Sequence, residues 1–179
     1  SIDKAIFLID RKDLDAQTTM AFQAYANNDL IDVDETDNVS DLKKKLKSDD
    51  RQVIVTTIQK LQRLITKRLQ EGTSDYNKIK NLRIAFVVDE CHRAVTPATK
   101  RELERFFGNS LWYGFTGTPR FAENPYPQMG DLPRTTEELY GKRLHKYTIQ
   151  NAIHDNAVLG FQVEHNGPKN MADETDSII

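Results

Sequence analysis

The sequence predicts an α/β domain of three layers, a mostly parallel sheet held between helices. Three observations carry that expectation. Short β-branched or apolar runs alternate with helix-like stretches, in the order strand, helix, strand, helix, strand, helix, strand. The run Ile84-Ala85-Phe86-Val87-Val88 is apolar on both alternations, which marks a central strand covered on both faces. That run ends in two adjacent carboxylates, Asp89 and Glu90, with His92 two places on. Open α/β sheets bind ligands at the carboxyl ends of their strands.

Taken in order, Ala5-Ile6-Phe7-Leu8-Ile9 reads as a buried strand ending at Asp10. Leu14, Thr18, Ala21, Phe22 and Tyr25 recur at helical spacing, and Asp10 or Asp13 would cap that helix. Residues 29–41 are acidic, and Lys43, Lys44, Lys45 and Lys47 follow around Leu42 and Leu46. This predicts an exposed loop and a short helix with a solvated face. Val53-Ile54-Val55-Thr56-Thr57 is a second, β-branched strand. Ile58, Leu61, Leu64, Ile65 and Leu69 carry a helix to Gly72, and residues 72–77 read as a polar connection. After the third strand, Thr96-Pro97 reads as an N-cap followed by proline at the first helical position. Leu103, Phe106 and Phe107 continue that helix to Gly108.

Residues 111–115 form the fourth predicted strand. Residues 121–133 hold Pro125, Pro127, Gly130 and Pro133 and predict a long ordered loop or insertion. Short helices are expected over 135–140 and 146–157, then an exposed strand around Phe161 and Val163. The polar tail from Asn166 is expected to fray. No internal repeat is present.

Composition narrows the class. A chain of 179 residues is long enough for one domain with a core. Its net charge of −2 supplies no global basic field, so any DNA or RNA contact must come from local groups. The single Cys91 excludes an internal disulfide and fits a reducing compartment. No apolar stretch approaches the roughly 20 residues that span a bilayer, and the start has no secretory pattern. A soluble intracellular domain with no membrane partner is the expectation.

Three segments carry chemistry, each at the end of a strand. In Asp89-Glu90-Cys91-His92 the aspartate can hold Mg²⁺, often through water. The glutamate beside it can accept a proton from an attacking water. His92 can link the γ-phosphate region to the turn in Phe115-Thr116-Gly117-Thr118-Pro119, where small residues let the backbone approach a ligand closely. In Val55-Thr56-Thr57-Ile58-Gln59-Lys60, the Thr and Gln side chains and helix-start amides suit phosphate oxygens. Phosphoryl transfer needs phosphate charge neutralised and a water aligned, so together they point to a nucleotide-driven motor.

Plainer readings compete: a charged strand end for Asp89 and Glu90, a simple turn for 116–119, surface charges for Arg11 and Lys12. Zinc at Cys91 and His92 with His145 or His154 would lack the tight pairs of N/S ligands such sites use. Cys91 reads better as a packed small hydrophobe. Trp112 and Tyr113 read as packing residues rather than platforms for bases.

The order of these motifs resembles a superfamily 2 helicase-type motor. More closely, it resembles the ATP-driven R (restriction and translocation) subunit of type I restriction enzymes. The matching strings are Phe7-Leu8-Ile9-Asp10-Arg11-Lys12-Asp13-Leu14-Asp15-Ala16-Gln17 and Ile54-Val55-Thr56-Thr57-Ile58-Gln59-Lys60-Leu61. Val88-Asp89-Glu90-Cys91-His92-Arg93 and Tyr113-Gly114-Phe115-Thr116-Gly117-Thr118-Pro119 follow. Tyr140-Gly141-Lys142-Arg143-Leu144-His145-Lys146-Tyr147 and Ala152-Ile153-His154-Asp155-Asn156-Ala157-Val158-Leu159 complete the match, over residues 5–165.

The resemblance implies part of a RecA-like P-loop NTPase domain that uses ATP and Mg²⁺. It implies Asp89 as the Mg²⁺ ligand, Glu90 as general base and His92 as the coupler of hydrolysis to domain motion. Thr116 and Thr118 would link ATP state to DNA contact. Arg11, Lys12 and Gln17 would help track a DNA strand, and Thr56, Thr57 and Gln59 would contact backbone phosphates. The parent would be cytoplasmic, pump duplex DNA before cleaving it, and work with methyltransferase and specificity subunits. Residues 1–120 would be a partial N-terminal motor domain, 121–145 an insertion in it, and 146–179 a connection toward a second motor domain.

The departure from the family is the phosphate loop. No G-x-x-x-x-G-K-[ST] string occurs in the chain. The chain is therefore expected to be an excised piece that binds ATP weakly or not at all, with a sheet edge open to self-pairing. Two rivals remain in view. Another superfamily 2 DNA or RNA helicase would differ in its nucleic-acid dependence. A non-catalytic module that binds DNA or a partner would lack a glycine-rich loop upstream of Ser1.

Overall fold

A computed structural model describes residues 1–9, 33–35, 38–50, 53–155 and 157. The chain divides into two units, Ser1–Arg143 and Leu144–Ile179. In the first, β1 (Lys4–Ile9), β2 (Val33–Glu35), β3 (Val53–Thr57), β4 (Ile84–Val88) and β5 (Leu111–Gly114) form one sheet in the order β2-β3-β1-β4-β5. Every pairing is parallel. Helices α1 (Val39–Lys47), α2 (Ile58–Lys67), α3 (Ser74–Lys80), α4 (Cys91–Ala94), α5 (Pro97–Phe106) and α6 (Thr136–Tyr140) belong to the same unit. In the second unit, α7 (Ile149–His154) begins at a capping box made by Thr148 and Asn151.

Register explains the core. Ile6 lies opposite Ile54 and Phe86, and Leu8 opposite Thr56 and Val88. These positions share one face of the sheet because side chains alternate along a strand. Ile6, Leu8, Ile54, Ile84, Phe86 and Val88 are fully buried there against Leu42 and Leu46 of α1, Leu61 and Leu64 of α2, Ile79 of α3 and Leu103 of α5. Phe107, just after α5, closes on Phe86 edge to face, and Trp112 stacks on the same ring at 4.3 Å.

The opposite face is unevenly covered: Ile9, Val55 and Thr57 on it are buried, while β4 is less enclosed there than a strand covered on both sides. Ala85 and Val87 are only half-buried, as are Ala5 and Phe7 beside them. On β5, Leu111 is 40% and Tyr113 42% exposed. Trp112 therefore packs as expected and Tyr113 does not. The helix predicted over 14–25, the strand near 161–163 and the tail from Asn166 lie outside the described residues.

Two elements correct the sequence reading. Val33–Glu35, inside the acidic stretch taken for loop, is a strand that pairs with Val53–Val55 at the sheet edge. Ser74–Lys80 is a helix where residues 72–77 read as a connection. Thr73 caps it, and Ile79 is buried beneath it. Asp75 at its start pairs with Lys43 at 2.7 Å and Lys47 at 2.5 Å, which ties α3 to α1. Thr96 and Pro97 start α5 as read, but that helix ends at Phe106, ahead of Gly108.

The region 121–133 is structured. Its ends meet where the Thr136 amide donates to Arg120 O at 2.9 Å and the Arg120 amide to Thr136 Oγ1 at 2.7 Å. The capping box of Thr135 and Glu138 starts α6 directly behind it. The result has the form of an Ω-loop, a surface loop whose ends nearly touch.

Candidate active site

The site forms where β4 and β5 end side by side. The Asp89 amide still donates to Leu8 O, so the sheet holds the backbone up to the first carboxylate. Asp89 Oδ1 accepts from the Glu90 amide at 2.9 Å and makes a tight turn. Glu90 then adopts φ 44° and ψ 45°. It is the one non-glycine residue with positive φ among those described. Left-handed backbone costs an L-residue with a Cβ about 1–2 kcal/mol, and such strain gathers at functional sites. Here it turns the chain sharply from β4 into α4 and leaves the Glu90 side chain 37% exposed.

The backbone also joins the two loops. Phe115 N donates to Val88 O and Cys91 N to Phe115 O, both at 2.9 Å. Side chains complete the junction. His92 Nδ1 lies 2.6 Å from Thr116 Oγ1 and 3.3 Å from Glu90 Oε2. Thr118 Oγ1 sits 3.1 Å from His92 Nε2. The Thr118 amide donates to Thr116 Oγ1 at 3.0 Å. A carboxylate only accepts, so of the two neutral tautomers the one with its hydrogen on Nδ1 suits the Glu90 side of this contact. Thr118 Oγ1 lies beside both ring nitrogens, 3.3 Å from Nδ1 and 3.1 Å from Nε2. Glu90, His92, Thr116 and Thr118 thus form one connected chain, with Asp89 at its root.

Beneath it, Cys91 is fully buried. Burial pushes its thiol up to about 11, with Glu90 adding to the effect. A Cβ on Gly114 would lie 2.7 Å from Cys91 Sγ and 3.0 Å from the Tyr140 ring, so glycine is required for this close approach. Lys100 is buried between the rings of Trp112 and Tyr140, 5.0 and 5.4 Å from their centroids, and pairs with Glu104.

Asp89 suits a hard cation in its chemistry. Among the described residues no three His, Cys, Asp or Glu side chains converge to hold a metal. Mg²⁺ is satisfied by one or two carboxylates with water and phosphate oxygens around it, so a single strand-end aspartate fits.

The predicted nucleic-acid residues divide differently. Thr56 and Thr57 are 1% and 3% exposed. Thr57 Oγ1 accepts from the Lys60 amide and caps α2. Of that trio Gln59 alone faces solvent. Arg11, Lys12 and Gln17 lie outside the described residues. Tyr126, which donates from its hydroxyl to His92 O at 2.6 Å, was invisible to motif reading. It lies 34 residues away, and an aromatic in a proline-rich loop carries no signal of its partner.

Comparison with known proteins adds the family context. The family model described as SWI2/SNF2 ATPase matches residues 1–178. An endonuclease subunit of a type I restriction enzyme from Staphylococcus saprophyticus is 40% identical over 181 residues, covering 99% of this chain and 18% of that protein. A type I restriction enzyme endonuclease subunit from Staphylococcus aureus is 43% identical over 172 residues, covering 96% of this chain and 17% of that protein. The chain spans less than a fifth of the length of these curated relatives.

Proposed function

The chain belongs to the SWI2/SNF2 ATPase family, and from that premise we propose that it is part of the motor of a type I restriction endonuclease R subunit. The intact protein would hydrolyse ATP, pump duplex DNA and then cleave it, together with methyltransferase and specificity subunits. Residues 1–120 would be the later part of the first motor domain, 121–145 an insertion in it and 146–179 the way to a second. The observation that carries the reading is the bonded chain from Glu90 through His92 to Thr116 and Thr118 at the ends of two adjacent parallel strands.

Asp89 would hold Mg²⁺ brought with the nucleotide; the ion would supply neutralisation of phosphate charge. Glu90, exposed at the end of a rigid turn, would take the proton of the attacking water. His92 would sense that event, since its Nδ1 lies 3.3 Å from Glu90 Oε2 and 2.6 Å from Thr116 Oγ1. Through Thr116 and Thr118 the signal would reach the 116–119 loop and its DNA contact. Gln59 and the amides at the start of α2 would take a backbone phosphate, with the buried Thr56 and Thr57 shaping that helix start. Arg11, Lys12 and Gln17 would add contacts along the strand. Such contacts to phosphates are sequence-independent and weaken as salt rises.

The test is ATP hydrolysis by the intact protein, with linear duplex DNA, with RNA and with neither. Stimulation by duplex DNA is expected. Glu90→Gln should bind ATP and lose turnover. Stimulation by RNA alone would replace this reading with an RNA helicase. Turnover by Glu90→Gln within a few-fold of wild type would remove Glu90 as the base.

A further inference from the structure

The 121–134 loop has no part in the chemistry described above, yet it reaches into the site at one atom. Tyr126 donates its hydroxyl to the backbone carbonyl of His92 at 2.6 Å. That carbonyl belongs to α4, a helix of four residues with no side-chain cap on Glu90 at its start. The last carbonyls of any helix lack intrahelical partners, and a helix of one turn gains from an outside donor there. The Tyr126 hydroxyl supplies it.

Tyr126 is itself fixed from several sides. Its amide donates to Arg134 O at 2.8 Å, and Arg134 Nε donates back to Tyr126 O at 3.0 Å. The Arg120 guanidinium lies 5.6 Å from the ring centroid. The far side of the loop is pinned to α5, where Arg101 donates to Asp131 Oδ1 at 2.8 Å and to Asp131 O at 3.1 Å. Burial pushes the Tyr126 hydroxyl up to about 12, so at neutral pH it stays a donor.

We propose that Tyr126 is a positioning residue for ATP hydrolysis: the loop is a strap that holds the His92 backbone so that its imidazole spans Glu90 and Thr116. The inference rests on the ATPase reading of the site and adds a role for residues 121–134. Removing the hydroxyl leaves the His92 carbonyl without this donor and loosens α4. The imidazole then spends less time within reach of both Glu90 and Thr116. ATP contacts are untouched, so the effect belongs to turnover and not to binding.

The experiment compares Tyr126→Phe, His92→Ala and the double variant in the intact protein, with linear duplex DNA. A misplacement of this kind is expected to lower kcat roughly tenfold, with KM for ATP within about twofold of wild type. In the His92→Ala background the second substitution should add nothing, because residues acting through one another are not additive. Amide exchange read by mass should accelerate over residues 89–95 in Tyr126→Phe and stay unchanged in β1 and β3. Unaltered kcat overturns the proposal, even with faster exchange, because the tyrosine would then be only a prop. Losses that multiply in the double variant also overturn it. If wild type itself shows no ATP turnover, the ATPase reading falls and this proposal, which rests on it, falls with it; an active wild type with an unaltered Tyr126→Phe overturns this proposal alone.

Discussion

At the scale of single residues, Glu90 carries two burdens that substitution can separate. Its carboxylate faces solvent and His92, and its backbone sits at φ 44°. Glu90→Ala and Glu90→Gly both remove the carboxylate, and they differ in what the left-handed backbone demands. Glycine enters that region without the Cβ clash, so Glu90→Gly should be more stable than Glu90→Ala by about 1 kcal/mol. Denaturant titration of the two variants reads this directly, and equal midpoints would mean the turn relaxes on its own. Gly114→Ala should do the opposite. The new Cβ would lie 2.7 Å from Cys91 Sγ, and overpacking of a filled site costs about 1–3 kcal/mol. Adding Cys91→Ala should recover part of that loss. The acid pair and the histidine are legible in the sequence because chemistry dictates their types and spacing. The backbone angle at Glu90 and the contact of Gly114 with Cys91 and Tyr140 are not legible. They arise from residues 23 and more positions apart that only the folded sheet brings together.

Secondary elements tell a related story. β1, β3 and β4 are legible because burial demands near-continuous apolar or β-branched runs, and the structure keeps those runs as strands. β2 is missed because it is three residues long, pairs with β3 alone among the described residues and sits among carboxylates. Short edge strands with charged side chains resist unwanted pairing, and that same composition hides them. α3 is missed because its buried side reduces to Ile79, with Tyr76 packed partly against the core. Thr57 shows how one residue type can serve either role. Its hydroxyl caps α2 at 3.3 Å from the Lys60 amide and is buried. Thr57→Ala should cost about 1 kcal/mol of stability, while Thr57→Ser should keep most of it. Thermal melts of both variants check the cap. If Thr57→Ser lost as much as Thr57→Ala, packing of the methyl group would matter more than the bond.

Across the whole molecule, the parallel sheet was legible as a class from four of its five strands, and the uneven cover of its second face was not. Apolar alternation says that a strand can be covered on both sides and not what covers it. Ala85 and Val87 are half-buried, and Leu111 and Tyr113 are exposed on β5, which among the described residues pairs with β4 alone. Exposed apolar side chains along an edge strand favour self-pairing.

The sulfur of Cys91 has a use of its own. It is the only thiol in the chain, fully covered, and set under the turn that carries Asp89, Glu90 and His92. An alkylating reagent attacks the thiolate, and raising the thiol from 9.0 to about 11 leaves about a hundredfold less of it at neutral pH. Alkylation in the folded protein should therefore wait for the turn to lift away. Its rate, followed by mass at the peptide holding Cys91, becomes a chemical clock for that opening. Nucleotide and DNA should slow the clock if they close the site, and the readout needs no label beyond the atom already there.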